Sequence, residues 1–191
     1  MVPLSDQRIE RFLEGEDVSR EALQALRSLE AGLGAPLSPG GERILRAVAA
    51  CAVGVPPESV ARFLDWRGFE MFCASLLRSR GYSVTENINL TKPRVQIDLL
   101  ARSRSLALLV DCKHWKHGMG ASALIRAASA QTERAKVLRG RMRDVEPLVV
   151  VLLVLSNEQA RFVDGAAVVP IYALGSFLSD IDAYSELLEY F

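Results

Sequence analysis

The sequence predicts an α/β fold: a mixed central sheet flanked by helices, with a helical region at its N-terminal side. Three observations carry that expectation. Residues 82–90, 94–101 and 106–112 read as three consecutive strands following a helical pattern. A second helical pattern, "ASALIRAASAQTERAKVLRGRM" at 121–142, comes next. The run "PLVVVLLVLS" at 147–156 is then apolar on both sides, as a central strand covered by helices on each face must be.

The elements follow in order. "SDQRIERFLEG" starts with Ser5 as an N-cap and stops at Gly15. "VSREALQALRSLEAGLG" places leucines at helical spacing up to a glycine stop at Gly34. "APLSPGG", 35–41, is the candidate linker. "ERILRAVAACAVG" and "PPESVARFLDW" predict two short helices, with Pro56 and Pro57 at the start of the second. Such a pair is either a DNA-binding helix-turn-helix or a packed helical hairpin. In "RGFEMFCASLLRSRG", Phe69, Phe72, Leu76 and Leu77 form an apolar stripe that ends at Gly81. "YSVTENINL" alternates as a half-exposed strand, and "RVQIDLLA" and "LALLVDC" are joined by the polar turn "RSRS". The next helix offers Leu124, Ala128, Ala135 and Leu138 as its inner face. "AAVVPIYAL" predicts a shorter strand, with Pro170 pointing to an edge position. A final amphipathic helix is expected to carry Phe177, Ile181, Tyr184, Leu187 and Leu188. The expected organisation is a helical region over 1–61 and an α/β domain over 62–191.

Composition excludes several classes. No apolar run reaches the roughly 18 residues of a membrane span. The acidic, polar start is unlike a secretory signal. Three cysteines without metal-type spacing read as free thiols in a reducing compartment, hence a cytoplasmic protein. The net charge of zero conceals a segregation: −3 over residues 1–61, +10 over 62–143 and −7 over 144–191. The middle block is either a surface for a polyanion or a basic face paired with the acidic tail.

The chemistry gathers on two strands. Alternation places Leu109, Asp111 and Lys113 on one face, and Asp98 lies on the neighbouring strand. Pairing through the "RSRS" turn would bring Asp98 and Asp111 together near one end of the sheet. Two carboxylates so placed form a hard oxygen site suited to Mg²⁺ or Mn²⁺, with the backbone carbonyl of Cys112 as a further ligand. Such a metal stabilises charge on a phosphate and lowers the pKa of a bound water. Lys113 would hold that water in line or stabilise charge at phosphorus. Glu70, on the preceding helix, would complete the cage through a water or a second metal.

The motifs "FE" at Phe69 and Glu70, "GYSV" at 81–84, "QIDLLA" at 96–101 and "LLVDCKHWK" at 108–116 resemble the PD-(D/E)xK nuclease superfamily, with its restriction-endonuclease-like fold. The Mrr-type and archaeal resolvase-like branches are the most similar. The similarity covers roughly residues 66–155. It implies a metal role for Asp98 and Asp111, a supporting one for Glu70 and a catalytic one for Lys113. Ile97 stands where many members have proline. Gln131 is the candidate for a glutamine that related nucleases carry on the following helix, and Ala135 replaces the aromatic found after it in one branch.

Around this set, Arg94, His114, Trp115, Lys116, Gln131, Arg134, Arg139 and Arg141 are candidate nucleic-acid contacts. Trp115 could equally cover the sheet end. Cys112, His114 and His117 make an incomplete zinc set. The alternative for the charged trio is a plain ion pair at a sheet edge. The function expected is a Mg²⁺- or Mn²⁺-dependent DNA endonuclease, hydrolysing in a single step by a metal-bound water. It would be nucleoid-associated in the cytoplasm, without a membrane or small-molecule cofactor. Cutting both strands calls for a homodimer, for which "SFLSDIDAYSELLEYF" offers an apolar surface. The rival readings are a non-cleaving nucleic-acid-binding or assembly protein of the same fold, and a scaffold docking on an acidic protein.

Overall fold

Burial of the long apolar run dictates the architecture of the C-terminal part. In the computed structural model, which describes residues 5–16, 20–33, 39–115, 118, 120–141, 146–155 and 159–191, that run is β4 (Leu148–Val154), buried at every position. The chain folds as two compact units, Met1–Ser75 and Leu76–Phe191.

In the first unit, α1 (Asp6–Glu14) buries Ile9, Phe12 and Leu13. It stops at Gly15, whose φ of 87° is the left-handed value glycine adopts without strain. The Gly15 and Glu16 N–H groups then bond back to Phe12 and Arg11 carbonyls, closing the helix end. Ser5 occupies the N-cap position as expected, although its side chain makes no capping bond. Helices α2 (Arg20–Leu33) and α3 (Pro39–Ala52) follow. Then comes α4 (Pro57–Ala61), with Pro57 in its first turn and only five residues. Helix α5 (Trp66–Ser79) starts where Asp65 accepts the Gly68 N–H at 2.6 Å. Phe69, Phe72, Cys73, Ala74 and Leu77 are fully buried along it, and the division between the units falls within this helix.

The second unit is a six-stranded mixed sheet in the order β1-β2-β3-β4-β6-β5. Strands β1 (Ser83–Thr91), β2 (Arg94–Arg102) and β3 (Ala107–Lys113) form an antiparallel meander. β4 runs parallel to β3, with α6 (Ala121–Arg139) as the crossover between them. The predicted turn at 102–105 is tightened by Ser103, whose Oγ accepts the Leu106 N–H at 3.1 Å and donates to the Leu106 carbonyl at 3.0 Å. Helix α6 buries Leu124, Ala128, Gln131, Ala135 and Leu138, one stripe at helical spacing. Those apolar residues form a core with Leu109, Leu148, Val150, Leu152 and Val154 of the sheet.

Two expectations for the C-terminal region are corrected. β6 (Ala166–Pro170) is not an edge strand, because β5 (Arg161–Val163) pairs antiparallel on its outer side. Pro170 fits because the β5 pairing ends at Val168, so no neighbour on that side requires its missing N–H. The final amphipathic helix is not continuous either. A 3₁₀ turn (Ile171–Ala173) leads into α7 (Leu174–Ser179), and a second 3₁₀ turn covers Ile181–Tyr184. The last residues then return to the sheet, with Leu148 and Phe191 exchanging backbone bonds at 3.2 and 3.1 Å. This fills the side of β4 that β6 does not reach, since the β4–β6 pairing begins only at Val151.

Candidate active site at the end of strands β2 and β3

The β2–β3 ladder fixes the site. Its last Cα pair is Leu99↔Val110, so the next position along each strand is Asp98 and Asp111. At that point Asp98 Oδ2 accepts the Cys112 N–H at 2.9 Å rather than leaving a regular rung. The two carboxylates thus stand side by side where the meander opens. Each is held from a different direction: Asp98 by backbone, Asp111 by side chains.

A kink accompanies this opening. Side chains alternate along a strand, so Ile97 and Leu100 should lie on opposite faces. Both join the core under α6 nonetheless. The alternation slips at Asp98, and the partner strand carries the matching distortion. Asn87 lies between the Glu86↔Leu99 and Ile88↔Ile97 pairs, opposite Asp98, with a φ of 52°. A non-glycine residue in that region carries strain, and asparagine tolerates it better than most. Sequence reading passed over Asn87. The signal available was an Asn-x-Asn interruption in an alternating strand.

Asp111 is 3% exposed and is met by two cations. Lys113 Nζ stands 2.6 Å from Oδ2, and Arg134 Nη1 stands 3.0 Å from Oδ1. The Lys113 approach is close but poorly aligned, and among the described residues Oδ2 accepts no hydrogen bond of good geometry. The same Arg134 nitrogen donates to Gln131 Oε1 at 2.8 Å. Gln131 is 0% exposed, and its Nε2 has no partner among the described residues. Lys113 also lies 5.7 Å from the centre of the Trp115 ring, within cation–π reach. Burial pushes the Asp98 carboxyl above its ordinary value, and the Asp111 charge adds to this. The Cys112 N–H bond and the charges of Lys113 and Arg134 act in the opposite direction.

The other candidates fall as follows. Trp115 is half-buried and packs on the core under α6, and His114 is half-buried beside it. Arg94 is exposed at the β1–β2 hairpin. Arg141 donates to the Lys92 carbonyl in the tip of that hairpin, and Arg139 to the Glu146 carbonyl at 3.2 Å. Glu70 is half-buried on α5, within the first unit. Lys116 and His117 lie outside the described residues, as does the part of the expected linker over 35–38.

Does a divalent cation fit? Two carboxylates of different strands meet, one of them buried with an oxygen that lacks a well-formed hydrogen bond. Asp98 is penalised for its charge by burial and by its neighbour. Two desolvated carboxylates offer the oxygen donors that a hard cation takes, and Mg²⁺ is commonly held by one or two carboxylates with water filling the other positions. Among the described residues no three His, Cys, Asp or Glu side chains converge. A cation there would draw on the two side chains of the pair, with backbone carbonyl, water or phosphate oxygens making up the rest.

An acidic pair and a lysine at the end of a meander, backed by a helix and a parallel crossover, define a class: an α/β domain of the restriction-endonuclease-like kind. Residues 61–140, from the last residue of α4 to the residue after α6, match the Mrr_cat family model, described as a restriction endonuclease. Over this region the chain is similar to Mrr-type restriction-endonuclease-like domains, as the motifs implied. Strands β4, β5 and β6 lie beyond the match and complete the sheet. No curated protein matches the chain, and among the described residues no helix is long and apolar enough to cross a membrane.

Proposed function

We propose that this protein is a metal-dependent DNA endonuclease acting through Asp98, Asp111 and Lys113. The observation that carries the reading is the placement of Asp98 and Asp111 one step past the last β2–β3 rung, with Lys113 Nζ 2.6 Å from Asp111, inside the region matched to a restriction endonuclease. Asp98, Asp111 and the Cys112 carbonyl would hold Mg²⁺ or Mn²⁺, with Glu70 in a supporting role. The bound cation would supply Lewis-acid stabilisation of phosphate charge and a more acidic water. Lys113, which already stands at the pair, would orient the attacking water and stabilise charge at phosphorus.

The basic middle block supports DNA as the partner, with Arg94, Arg134 and Arg141 as phosphate contacts and His114, Lys116 and Arg139 in the wider set; Gln131, expected among them, is fully buried and reaches DNA only through Arg134. Cutting both strands requires two sites, so the reading includes a homodimer. Leu187 and Tyr190 stay exposed in the C-terminal segment for that contact, and a strictly monomeric mass in sedimentation with DNA would remove it. Free thiols at all three cysteines suit a cytoplasmic, nucleoid-associated protein.

The test is cleavage of plasmid, linear duplex, four-way junction, flap and single strand with Mg²⁺, Mn²⁺ or chelator. Cutting should need the metal and fall by roughly 10²-fold or more in Lys113→Ala and Asp111→Asn. Cutting that survives both substitutions refutes the site. Salt-sensitive binding without any cutting would support a non-cleaving DNA-binding protein instead.

A further inference from the structure

Arg134 is placed where a metal site and a phosphate site would share one charge. Its Nη1 carries two N–H groups. One goes to Asp111 Oδ1 at 3.0 Å and the other to Gln131 Oε1 at 2.8 Å. Among the described residues Nε and Nη2 have no partner. The Arg134 side chain is 36% exposed, whereas that of Asp111 is 4%. One end of the guanidinium is thus fixed in the interior, and its other edge is an open fork of N–H donors. That fork has the geometry that grips two oxygens of a phosphate.

The charges show what this arrangement does. Asp98 and Asp111 are balanced by Lys113 and Arg134 in the free protein, so a divalent cation enters a site that is already neutral. Arg134 opposes it most directly, 3.0 Å from a candidate ligand oxygen. A phosphodiester on the open edge adds the negative charge that makes room for the cation and draws the guanidinium outward. Gln131 keeps the arginine pointed at the site throughout, because Gln131 itself is fully buried and cannot leave with it.

We propose that Arg134 couples metal to nucleic acid: it holds divalent-ion affinity down in the free protein and releases that restraint when its open edge takes a phosphodiester. The enzyme then loads its metal chiefly on substrate. This rests on the reading of Asp98 and Asp111 as metal ligands.

The test is equilibrium Mn²⁺ binding to the full chain, followed by the electron paramagnetic resonance of free Mn²⁺. It is run with and without a short DNA duplex whose integrity is checked by gel. Asp111→Asn supplies the baseline for Mn²⁺ held by DNA alone, and thermal melting confirms that each variant is folded. In wild type, duplex should tighten Mn²⁺ binding by about fivefold or more, within the usual range of coupling between sites. Arg134→Gln should bind Mn²⁺ more tightly than wild type without DNA and lose most of the gain on adding it. Arg134→Lys, which keeps the charge without the fork, should retain the weak DNA-free affinity and lose the gain. An Arg134→Gln variant with wild-type or weaker Mn²⁺ affinity without DNA and an unchanged gain overturns the coupling and leaves the metal site standing. Wild type that binds no Mn²⁺ in either condition overturns the metal site itself, and the coupling with it.

Discussion

Gln131→Met should make the protein more stable and less active. Gln131 sits in line with Leu124, Ala128, Ala135 and Leu138 on the buried stripe of α6, fully enclosed, with Nε2 unpartnered among the described residues. An unsatisfied buried donor costs about 1–3 kcal/mol. Methionine is close to glutamine in shape and carries no donor, so it removes that cost. Against this stands the loss of the 2.8 Å bond from Arg134. Because Arg134 keeps Asp111 and is 36% exposed, water replaces much of that bond, and its loss weighs about 0.5–1.5 kcal/mol. The balance is a gain of about 1 kcal/mol, or a rise in Tm of about 3 °C for a chain of this size. Thermal and urea melts of the metal-free protein measure it. Cleavage should fall at the same time, since the arginine loses its tether. A Tm lowered by several degrees would show that Nε2 has a partner that matters, and the reasoning would fail.

Three further outcomes follow from the same structure. Leu152→Ala, at a fully buried position of the central strand, should destabilise by about 2–5 kcal/mol in urea melts. Asn87→Gly should leave stability nearly unchanged, whereas Asn87→Val should cost about 1–2 kcal/mol, because a β-branched residue resists the φ of 52°; equal melts for the two variants would remove the strain argument. Burial and then the Asp182 charge raise the Tyr82 hydroxyl above its ordinary value. A group raised in the fold lends stability below its unfolded pKa and loses it as pH climbs through the folded one, so this contribution fades in the alkaline range. Asp182→Asn should therefore move one tyrosine to earlier ionisation in an ultraviolet pH titration, and an unchanged titration would contradict the assignment.

How much of this was legible in the sequence depends on how local the signal is. β4 and the inner stripe of α6 could be read directly, because continuous burial and helical spacing leave a pattern within one segment. β5 could not, since three residues with an exposed arginine among them carry no period. The interrupted C-terminal helix was misread for a related reason: Phe177, Ile181 and Leu188 are buried, as the spacing required, but the chain turns between them and returns its last residues to Leu148. Tyr190 and Phe191 pair with a strand more than forty residues earlier, and no local pattern announces such a contact.

The site divides along the same line. Asp98, Asp111 and Lys113 were legible because charge on an otherwise apolar strand demands a reason, and alternation with a short turn predicts that the two carboxylates meet. Gln131 was visible as a polar residue and entered through the resemblance, but its place in the buried stripe gives the stronger argument. A glutamine between Ala128 and Ala135 at core spacing has to meet another polar group, and the neighbour one turn along is Arg134. Arg134 was read as one of several arginines facing phosphate, and the basic block hid its other attachment. Only the packing of α6 on the sheet shows that this arginine already holds Asp111. A glutamine on the buried helix face, with an arginine at its border, is the fold departing from its own apolar rule at the point where the carboxylates need a counter-charge.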